Sequence, residues 1–317
     1  MQPEQQEQGS RRFVPLGRLK EVALGVASTP SAVVNLQTID LPEQGSWVLV
    51  DTGLSFFAPY ILRAAAMRPN SHPSCIVLTD GHFDHAGCVE HLAEIWDVPV
   101  YAHALEKPYL TGKSKYPPFD PTVGGLVSQV ARFFPRSPYN LGDRLRELPT
   151  NGELDELPGW YLVHTPGHTA GHVSLFREAD AVLIAGDALS TVDQQSFPKT
   201  VVQYREFALP PAYETTDWQA AKRSVQKLAD LRPSVVIAGH GQPITGAQTA
   251  DRLEEFARNF RPPKHGRYVS QPAITDANGI VQLPPPAPDP LPKIAAAVAI
   301  GGAAVAATYL IKRRKAA

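Results

Sequence analysis

The chain has 317 residues, of which 43% are hydrophobic and 19% are charged, and its formal net charge is −1. This composition predicts a globular protein with a sizeable core and gives no electrostatic reason to expect a nucleic acid as partner. Only two cysteines, Cys75 and Cys88, are present, so the chain is not a disulfide scaffold. We expect both to be reduced thiols close to the core.

Four segments of different composition follow one another along the chain. Residues 1–20 begin with a polar stretch that lacks the apolar region of a secretory signal, which predicts a flexible leader. Residues 21–262 alternate short β-branched runs with helical patterns, which predicts the folded domain. Residues 263–292 become rich in proline, which predicts an extended linker. Residues 293–317 form an apolar segment with a basic end.

Within the predicted domain, several short apolar runs stop at Gly, Pro or Asp, as strands do. The predicted strands are 47–50, 75–79, 98–102, 161–164, 173–176, 181–185 and 235–238. The clearest helical patterns are 86–96, 217–231 and 247–260. This mixed order predicts a layered α/β protein in which helices cover the sheets.

Four possible metal ligands lie within six residues after the second of these strands: Asp80, His82, Asp84 and His85. Gly81 permits the tight turn that such a cluster needs. Imidazole and carboxylate groups suit zinc, iron or manganese. The alternative is that these are solvated loop residues, as Asp and His often are.

Further polar residues weigh against that alternative. Asp51, His168, Asp187 and His240 each come just after a predicted strand. Loops that leave strand ends are where functional sites are assembled on a rigid frame. Small residues beside His168, Asp187 and His240 permit close approach of the backbone. We therefore predict one site that is built from several strand ends.

On these residues the sequence resembles the metallo-β-lactamase superfamily. The family pattern is a strand ending in Asp, a T-H-x-H-x-D-H motif, then a His, a bridging Asp and a final His. The resemblance extends from about residue 20 to about residue 245 and implies an αββα sandwich of two similar halves. It also implies that His82 and His168 hold metal one, that Asp84, His85 and His240 hold metal two, and that Asp187 bridges them. Asp51 would position the motif loop, and His172 would support the ligands through a hydrogen bond without binding a metal.

One position departs from the family pattern, because Asp80 stands where the first motif His is expected. An aspartate can bind a metal ion, but its side chain is shorter than that of His and carries a negative charge. We include Asp80 among the predicted metal ligands, and we expect it to alter the affinity or the identity of metal one. Two divalent ions are predicted, with zinc favoured and manganese or iron as alternatives.

The resemblance and the ligand set predict a hydrolase that uses a metal-bound hydroxide, with Asp84 as the catalytic residue that orients the hydroxide and takes its proton. Aromatic side chains in residues 104–150 and 190–215 favour a small or medium ester, lactone or thioester, although they could simply pack the loops. Two alternatives stay open. One is a thioesterase like hydroxyacylglutathione hydrolase, and the other is a membrane-tethered binding protein with a degenerate metal site.

The C-terminal segment supports the idea of a tether. Residues 294–311 contain no charged side chain, and basic residues flank them on both sides. Eighteen residues would form a helix of about 27 Å, which is enough to cross a bilayer core. We predict a C-terminal membrane anchor with the catalytic domain in the cytoplasm. Eight of the eighteen are Ala, so an Ala-rich soluble helix is the alternative.

Overall fold

The computed structural model describes residues 19–31, 34–136 and 139–289. Its strands are β1 (Lys20–Ala23), β2 (Val26–Ser31), β3 (Val34–Leu41), β4 (Ser46–Val50), β5 (Cys75–Val77), β6 (Val100–Ala102), β7 (Leu145–Glu147), β8 (Tyr161–His164), β9 (Val173–Arg177), β10 (Val182–Gly186), β11 (Val235–Ala238), β12 (Ile244–Thr245), β13 (Ile274–Asp276) and β14 (Gly279–Gln282). Its helices are α1 (Ala58–Ala66), α2 (Val89–Trp96), α3 (Lys107–Leu110), α4 (Leu126–Ala131), α5 (Phe197–Val202), α6 (Trp218–Asp230) and α7 (Thr249–Arg258).

Two sheets carry most of these strands. The seven-stranded sheet runs in chain order from β1 to β7, antiparallel up to β4 and parallel from β4 onwards. The five-stranded sheet has the order β12-β11-β10-β9-β8, and within it only β10 and β11 are parallel. Each sheet therefore contains neighbouring parallel strands, and the carboxyl ends of such strands lie at the same edge of the sheet.

Successive side chains of a strand point to opposite faces of its sheet, and in the central strands both sets are apolar and buried. On β4, Val48 lies in the core between the sheets, whereas its neighbour Leu49 packs with residues of α1 and α2. On β11, Ile237 lies in the same inter-sheet core, whereas Val236 packs with residues of α6 and α7. The result is a four-layered αββα sandwich, which confirms the predicted fold class.

Helix α6 shows how the sequence determines one of the outer layers. The Asp217 side chain accepts hydrogen bonds from the backbone N–H groups of Gln219 and Ala220 and so caps the start of the helix. Ala221, Val225 and Leu228 are all buried and recur at helical spacing along one face. That face is the one that packs on the five-stranded sheet.

The predicted strands and helices are all present, with boundaries that shift by a few residues. The largest shift is at α2, which begins at Val89 rather than at residue 86, because His85 and Ala86 still donate to the His82 carbonyl in the motif turn. The sequence did not indicate the antiparallel strands β1 to β3 as a group, nor α1. Both lie where apolar and polar residues mix without a clear period.

Residues 263–289, expected as a linker, lie against the rest of the domain. The buried Tyr268 donates from its hydroxyl to the Pro118 carbonyl at 2.7 Å. Arg132 and Asp289 form an ion pair at 3.0 Å. Strands β13 and β14 make a small hairpin in the same segment. The exact division of the chain into domains stays a prediction.

The predicted membrane localisation requires correction. Among the described residues, no helix combines the length and the apolar character that a bilayer crossing needs. The longest of those helices, α6, has 13 residues and carries charged side chains, whereas a span takes about 20 apolar residues. The segment 294–311, in which the anchor was expected, lies outside the described residues.

Candidate metal centre

Asp51 connects the end of β4 to the motif loop. Its backbone adopts a φ of 60°, a left-handed conformation that is uncommon outside glycine and concentrates at functional sites. Its carboxylate accepts hydrogen bonds from the N–H and the hydroxyl of Thr79 at 2.8 and 2.7 Å. The same carboxylate lies 2.8 Å from Nδ1 of His85, so Nε2 of His85 is directed into the site.

One group of candidate ligands combines Asp84, His85 and His240, all buried. Oδ2 of Asp84 lies 3.5 Å from Nε2 of His240. Oδ2 of Asp187 lies 3.3 Å from Nε2 of His85 and 3.2 Å from Nε2 of His240. The motif loop after β5 and the loops after β10 and β11 therefore bring these four residues to one point.

A second group combines Asp80, His82 and His168, also buried. Nδ1 of His82 lies 3.0 Å from Nε2 of His168, and Oδ2 of Asp80 lies 3.3 Å from that same nitrogen. Oδ2 of Asp187 is 3.6 Å from Nε2 of His168. A single oxygen of Asp187 thus faces both groups, which is the place that the family resemblance implies for a bridging ligand.

Several polar atoms in these groups are buried without a hydrogen-bond partner in the described structure. They are Oδ2 of Asp80, Oδ1 of Asp84, Nε2 of His85 and both carboxylate oxygens of Asp187. Buried polar atoms in folded proteins are almost always paired, so such a concentration needs an explanation. The atoms approach one another without hydrogen-bond geometry, as donors to a shared ion do. The nitrogen and oxygen donor set fits two divalent cations.

The charged groups of the centre shift one another's pKa values. Burial opposes ionisation of Asp187, but His240 and His85 together hold the pKa of its carboxyl well below the usual range. Burial also opposes protonation of His82 and His240, but Asp80 and Asp187 raise the pKa of these imidazoles to about 9. The carboxylates therefore create a buried negative field that attracts cations.

His172 lies behind Asp187, as expected from the sequence. Its Nε2 accepts a hydrogen bond from the Asp187 backbone N–H at 2.8 Å, and its Nδ1 lies 2.8 Å from the Thr165 hydroxyl. Burial lowers the pKa of His172 to about 3, so the ring is neutral and can accept. It holds the backbone of Asp187 rather than facing the cleft.

Asn35 on β3 is a supporting residue that sequence reasoning missed. Its side-chain amide donates to the carbonyls of Ala238 and Gly241 at 2.9 and 2.6 Å, and its backbone N–H donates to the Gly239 carbonyl at 2.7 Å. It thereby fixes the loop that carries His240. A Cβ atom at Gly239 would collide with the Asp187 carboxylate. No local motif marks Asn35 in the sequence.

Glu106 is a second residue that sequence reasoning missed, and it joins the two loops of the second group. Its buried carboxylate accepts hydrogen bonds from the Gly81 N–H at 3.1 Å, the Thr169 hydroxyl at 2.7 Å and the Gly171 N–H at 3.0 Å. The Tyr116 hydroxyl donates to the same carboxylate. Burial and nearby Asp80 raise the pKa of Glu106. Its position within a short helical segment gave no signal.

Glu214 is the third residue missed, and it lies within the centre itself. It is 1% exposed, and its carboxylate joins His168 and Asp187 as a further group whose ligand atoms lie within 4.8 Å of one another. Burial and the charge of Asp84 raise the pKa of Glu214 well above its usual value. The only hint in the sequence is that Glu214 belongs to the aromatic segment 190–215, which was expected to cover the site, but Asp193 and Glu206 share that segment.

Aromatic side chains from both covering segments meet beside His82. The rings of Tyr116 and Phe119 lie 4.2 and 5.8 Å from the His82 ring. Phe134 and Tyr213 each contact Phe119 and lie 5.9 Å from one another. Other aromatics of these segments are exposed and take no part: Phe133, Phe197 and Tyr204.

The chain is similar in sequence to probable metallo-hydrolases. The family model of the metallo-beta-lactamase superfamily matches residues 38–240. The chain is 42% identical to the probable metallo-hydrolase YflN of Bacillus subtilis over 76% of its own length and 92% of that protein. It is 29% identical to the probable metallo-hydrolase YybB of the same organism, over 62% and 76% of the respective lengths.

Two solved structures share the fold. One is an archaeal metallo-beta-lactamase superfamily protein of Sulfolobus tokodaii, with a TM-score of 0.50, 20% identity and coverage of 74% of this chain and 85% of that one. The other is the BLEG-1 B3 metallo-beta-lactamase, with a TM-score of 0.51, 22% identity and coverage of 73% and 96%. At these identities the likeness concerns the fold alone.

Proposed function

We propose that this chain, which belongs to the metallo-β-lactamase superfamily and is a metallo-hydrolase, acts on small or medium esters, lactones or thioesters without a negative charge at the reacting group. The observation that carries this proposal is the surroundings of the centre. Four buried carboxylates converge there, from Asp80, Asp84, Asp187 and Glu214, and an aromatic cluster lies directly beside them.

We assign the cations to the two groups described above. Asp80, His82 and His168 would hold metal one, Asp84, His85 and His240 would hold metal two, and Asp187 would bridge them. Divalent ions bound in such sites polarise a carbonyl oxygen and lower the pKa of a water ligand to about 7. Zinc, manganese and iron are all compatible with these nitrogen and oxygen donors.

Asp84 is the residue that we assign to proton transfer. Its Oδ2 faces His240 at 3.5 Å, whereas Oδ1 is buried without a hydrogen-bond partner among the described residues. Oδ1 is therefore available to accept a proton from the attacking water and to hold that water in line with the substrate. Because Asp84 sits in a loop anchored by Asp51 and Thr79, its position is fixed before substrate enters.

The charge around the centre favours neutral substrates. Each additional carboxylate weakens the net positive charge that the cations provide, and anionic phosphodiesters depend on that charge more than esters do. The cluster of Phe119, Phe134 and Tyr213 offers apolar surface next to His82. Apolar walls with a few polar groups are typical of sites for small organic molecules.

The alternative of a glutathione thioesterase has less support. It required free lysine or arginine side chains that could bind the glutathione carboxylates. Lys199 instead pairs with Glu206 at 2.6 Å, and Lys113 donates to Asn278 at 2.6 Å. Two of the basic side chains in the covering segments are thus engaged within the chain, and we keep glutathione thioesters as the second candidate class.

A substrate panel with the full-length chain tests the proposal. The chain is loaded with zinc or with manganese, and kcat/KM is measured for an aryl ester, a γ-lactone, an acyl thioester and an aryl phosphodiester. We expect the carbonyl substrates to exceed the phosphodiester by at least about 100-fold. A dominant phosphodiesterase activity would overturn the assignment.

A variant of the aromatic cluster provides a sharper version of the same test. Phe119→Ala removes apolar surface beside His82 but leaves every proposed ligand in place. We expect KM for the aryl ester to rise about tenfold with kcat little changed. Phe133→Ala serves as the matched control, since Phe133 is 81% exposed and lies outside the cluster.

A further inference from the structure

The Glu214 carboxylate is the one acidic group at the centre to which neither the family pattern nor the sequence assigns a task. It is 1% exposed, and both of its oxygens lack a hydrogen-bond partner within the described residues. Removing a carboxylate from water without hydrogen bonds or an opposite charge carries a large free-energy cost. A structure that retains such a group therefore needs a cation or a proton to compensate for it.

The loop around Glu214 is tied to the loop that carries His168. The Thr215 hydroxyl donates to the Pro211 carbonyl at 2.8 Å and lies 3.5 Å from Nδ1 of His168. The Thr216 hydroxyl donates to the His168 carbonyl at 3.1 Å. Glu214 and His168 are thus carried by two loops that are hydrogen-bonded to each other. The loop of Glu214 is therefore held in a fixed position beside His168.

The distances place the Glu214 carboxylate at a common cation with its neighbours. Its nearest oxygen, a ring nitrogen of His168 and a carboxylate oxygen of Asp187 all lie within 4.8 Å of one another. Two donors that bind one ion at 2.0–2.2 Å can be up to about 4.4 Å apart. Even at the 4.8 Å limit, movements of less than about 1 Å per donor would bring all three donors within binding distance of one ion.

From this geometry we propose that Glu214 is an additional ligand of metal one, which makes that site carboxylate-rich and selective for a harder divalent cation, manganese or ferrous iron, over zinc. The site then combines two imidazoles, from His82 and His168, with three carboxylates, from Asp80, Asp187 and Glu214. Oxygen-rich sets with many ligands favour manganese or iron, whereas zinc favours four donors in a tetrahedron.

This inference rests on the proposed two-metal centre and extends it to the identity of one ion. It also relates the unusual aspartate at residue 80 to the presence of Glu214. A family His is replaced by an acid at residue 80, and a second acid that the family pattern does not include reaches the same ion from residue 214. Both departures alter the donor set in the same direction, towards oxygen.

Manganese titration of the metal-free full-length chain tests the inference. Calorimetry and manganese paramagnetic resonance give the affinity and the number of sites for wild type, Glu214→Gln and Glu206→Gln. The last variant is the matched control, because Glu206 belongs to the same segment but pairs with Lys199 away from the centre. We expect Glu214→Gln to weaken one manganese site by about ten- to a hundredfold and to change zinc binding less, with Glu206→Gln like wild type.

Thermal unfolding of the same samples separates a ligand from a residue that only supports the fold. Without metal, Glu214→Gln should unfold at the same temperature as wild type or a higher one, because the repulsion from Asp84 and Asp187 is removed. Its stabilisation by manganese should be smaller. A metal-free variant that is less stable than wild type would overturn the inference, as would manganese affinity equal to that of wild type. If wild type itself binds no divalent ion, the proposed metal centre fails as well.

Discussion

The two halves of the centre differ in how their ligands are composed and held. The half formed by Asp84, His85 and His240 follows the family pattern at every position, and its His85 is oriented by a 2.8 Å contact with Asp51. The half formed by His82 and His168 carries an aspartate at residue 80 and has Glu214 beside it. The contrast therefore lies in which side chains each half presents.

From this contrast we expect that one structural frame holds two chemically different cation sites. Both halves share one oxygen of Asp187, which lies 3.2–3.6 Å from Nε2 of His85, His168 and His240. The loops that carry Asp187 and these histidines therefore determine the distance between the two proposed sites, and the remaining side chains determine the charge of each site.

We call the half with Asp84, His85 and His240 the histidine-rich half, because imidazoles are two of its four candidate donors when Asp187 is counted. We call the half with Glu214 the carboxylate-rich half, because imidazoles are two of its five. We expect the first to resemble an ordinary zinc site and the second to depart from it.

The largest effect should come from breaking the histidine-rich half. In a variant with His85→Ala and His240→Ala, we expect the metal content to fall from about two ions per chain to about one or fewer, because a site with one remaining unshared ligand binds poorly. Hydrolysis of the best ester should disappear. Mass spectrometry of metal content measures the first effect. A matched variant with the exposed His91→Ala and His265→Ala should keep both properties, and unchanged metal content in the first variant would contradict the assignment.

The next largest effect should come from Asp84→Asn, which keeps the shape of the side chain but removes its ability to accept a proton. We expect kcat to fall by about 10²–10⁴-fold with a smaller change in KM. Steady-state kinetics at saturating metal separates this catalytic loss from weaker metal binding. A variant that retains more than half of the wild-type kcat under these conditions would show that another group takes the proton.

These first effects concern residues that the sequence identified in advance. Asp80 to His85, Asp187 and His240 follow strand ends, so strand prediction and local spacing singled them out as candidate ligands, whereas their separate roles were implied by the family resemblance. The mixed order of short apolar runs and helical patterns likewise predicted a layered α/β fold. The αββα sandwich itself was implied by the family resemblance, because local patterns do not report how two sheets stack.

The residues that escaped prediction act across long sequence distances. Asn35 bonds to Ala238 and Gly241, more than 200 residues away. Glu106 links loops whose members lie 25 and 63 residues from it. Glu214 reaches the centre from a loop with no motif. A single sequence records no such pairing, because only the folded chain brings these groups together.

An intermediate effect should come from Asp51→Asn, which leaves every ligand of the histidine-rich half in place. The amide cannot supply the negative charge that faces Nδ1 of His85 at 2.8 Å, so the imidazole becomes a poorer and less well oriented donor. We expect zinc affinity to fall by about ten- to a hundredfold. Competition with a zinc indicator dye measures this. The exposed Asp143→Asn is the control, and equal affinity in both variants would mean that Asp51 does not orient the ligand.

The smallest effect should come from Asp80→His, which restores the residue of the family pattern in the half formed with His82 and His168. Replacing an anionic oxygen donor by a neutral imidazole should raise zinc occupancy of metal one and reduce its preference for manganese by several-fold. Metal content after equilibration with equal zinc and manganese gives the ratio. Since Oδ1 of Asp80 also accepts from the His82 backbone N–H at 2.8 Å, Asp80→Asn controls for the loss of that contact. An unchanged ratio in Asp80→His would show that Asp80 is not a ligand.

Anomalous X-ray scattering from crystals of the full-length chain, grown with zinc and manganese, tests the central claim most directly. Data collected at the absorption edges of both elements locate each ion and identify it. Our account predicts two peaks a few ångströms apart (on the order of 3.5–4 Å), zinc at Asp84, His85 and His240, and manganese at His82 and His168 with the Glu214 carboxylate bound. A single peak, or zinc at both positions with Glu214 turned away, would contradict it.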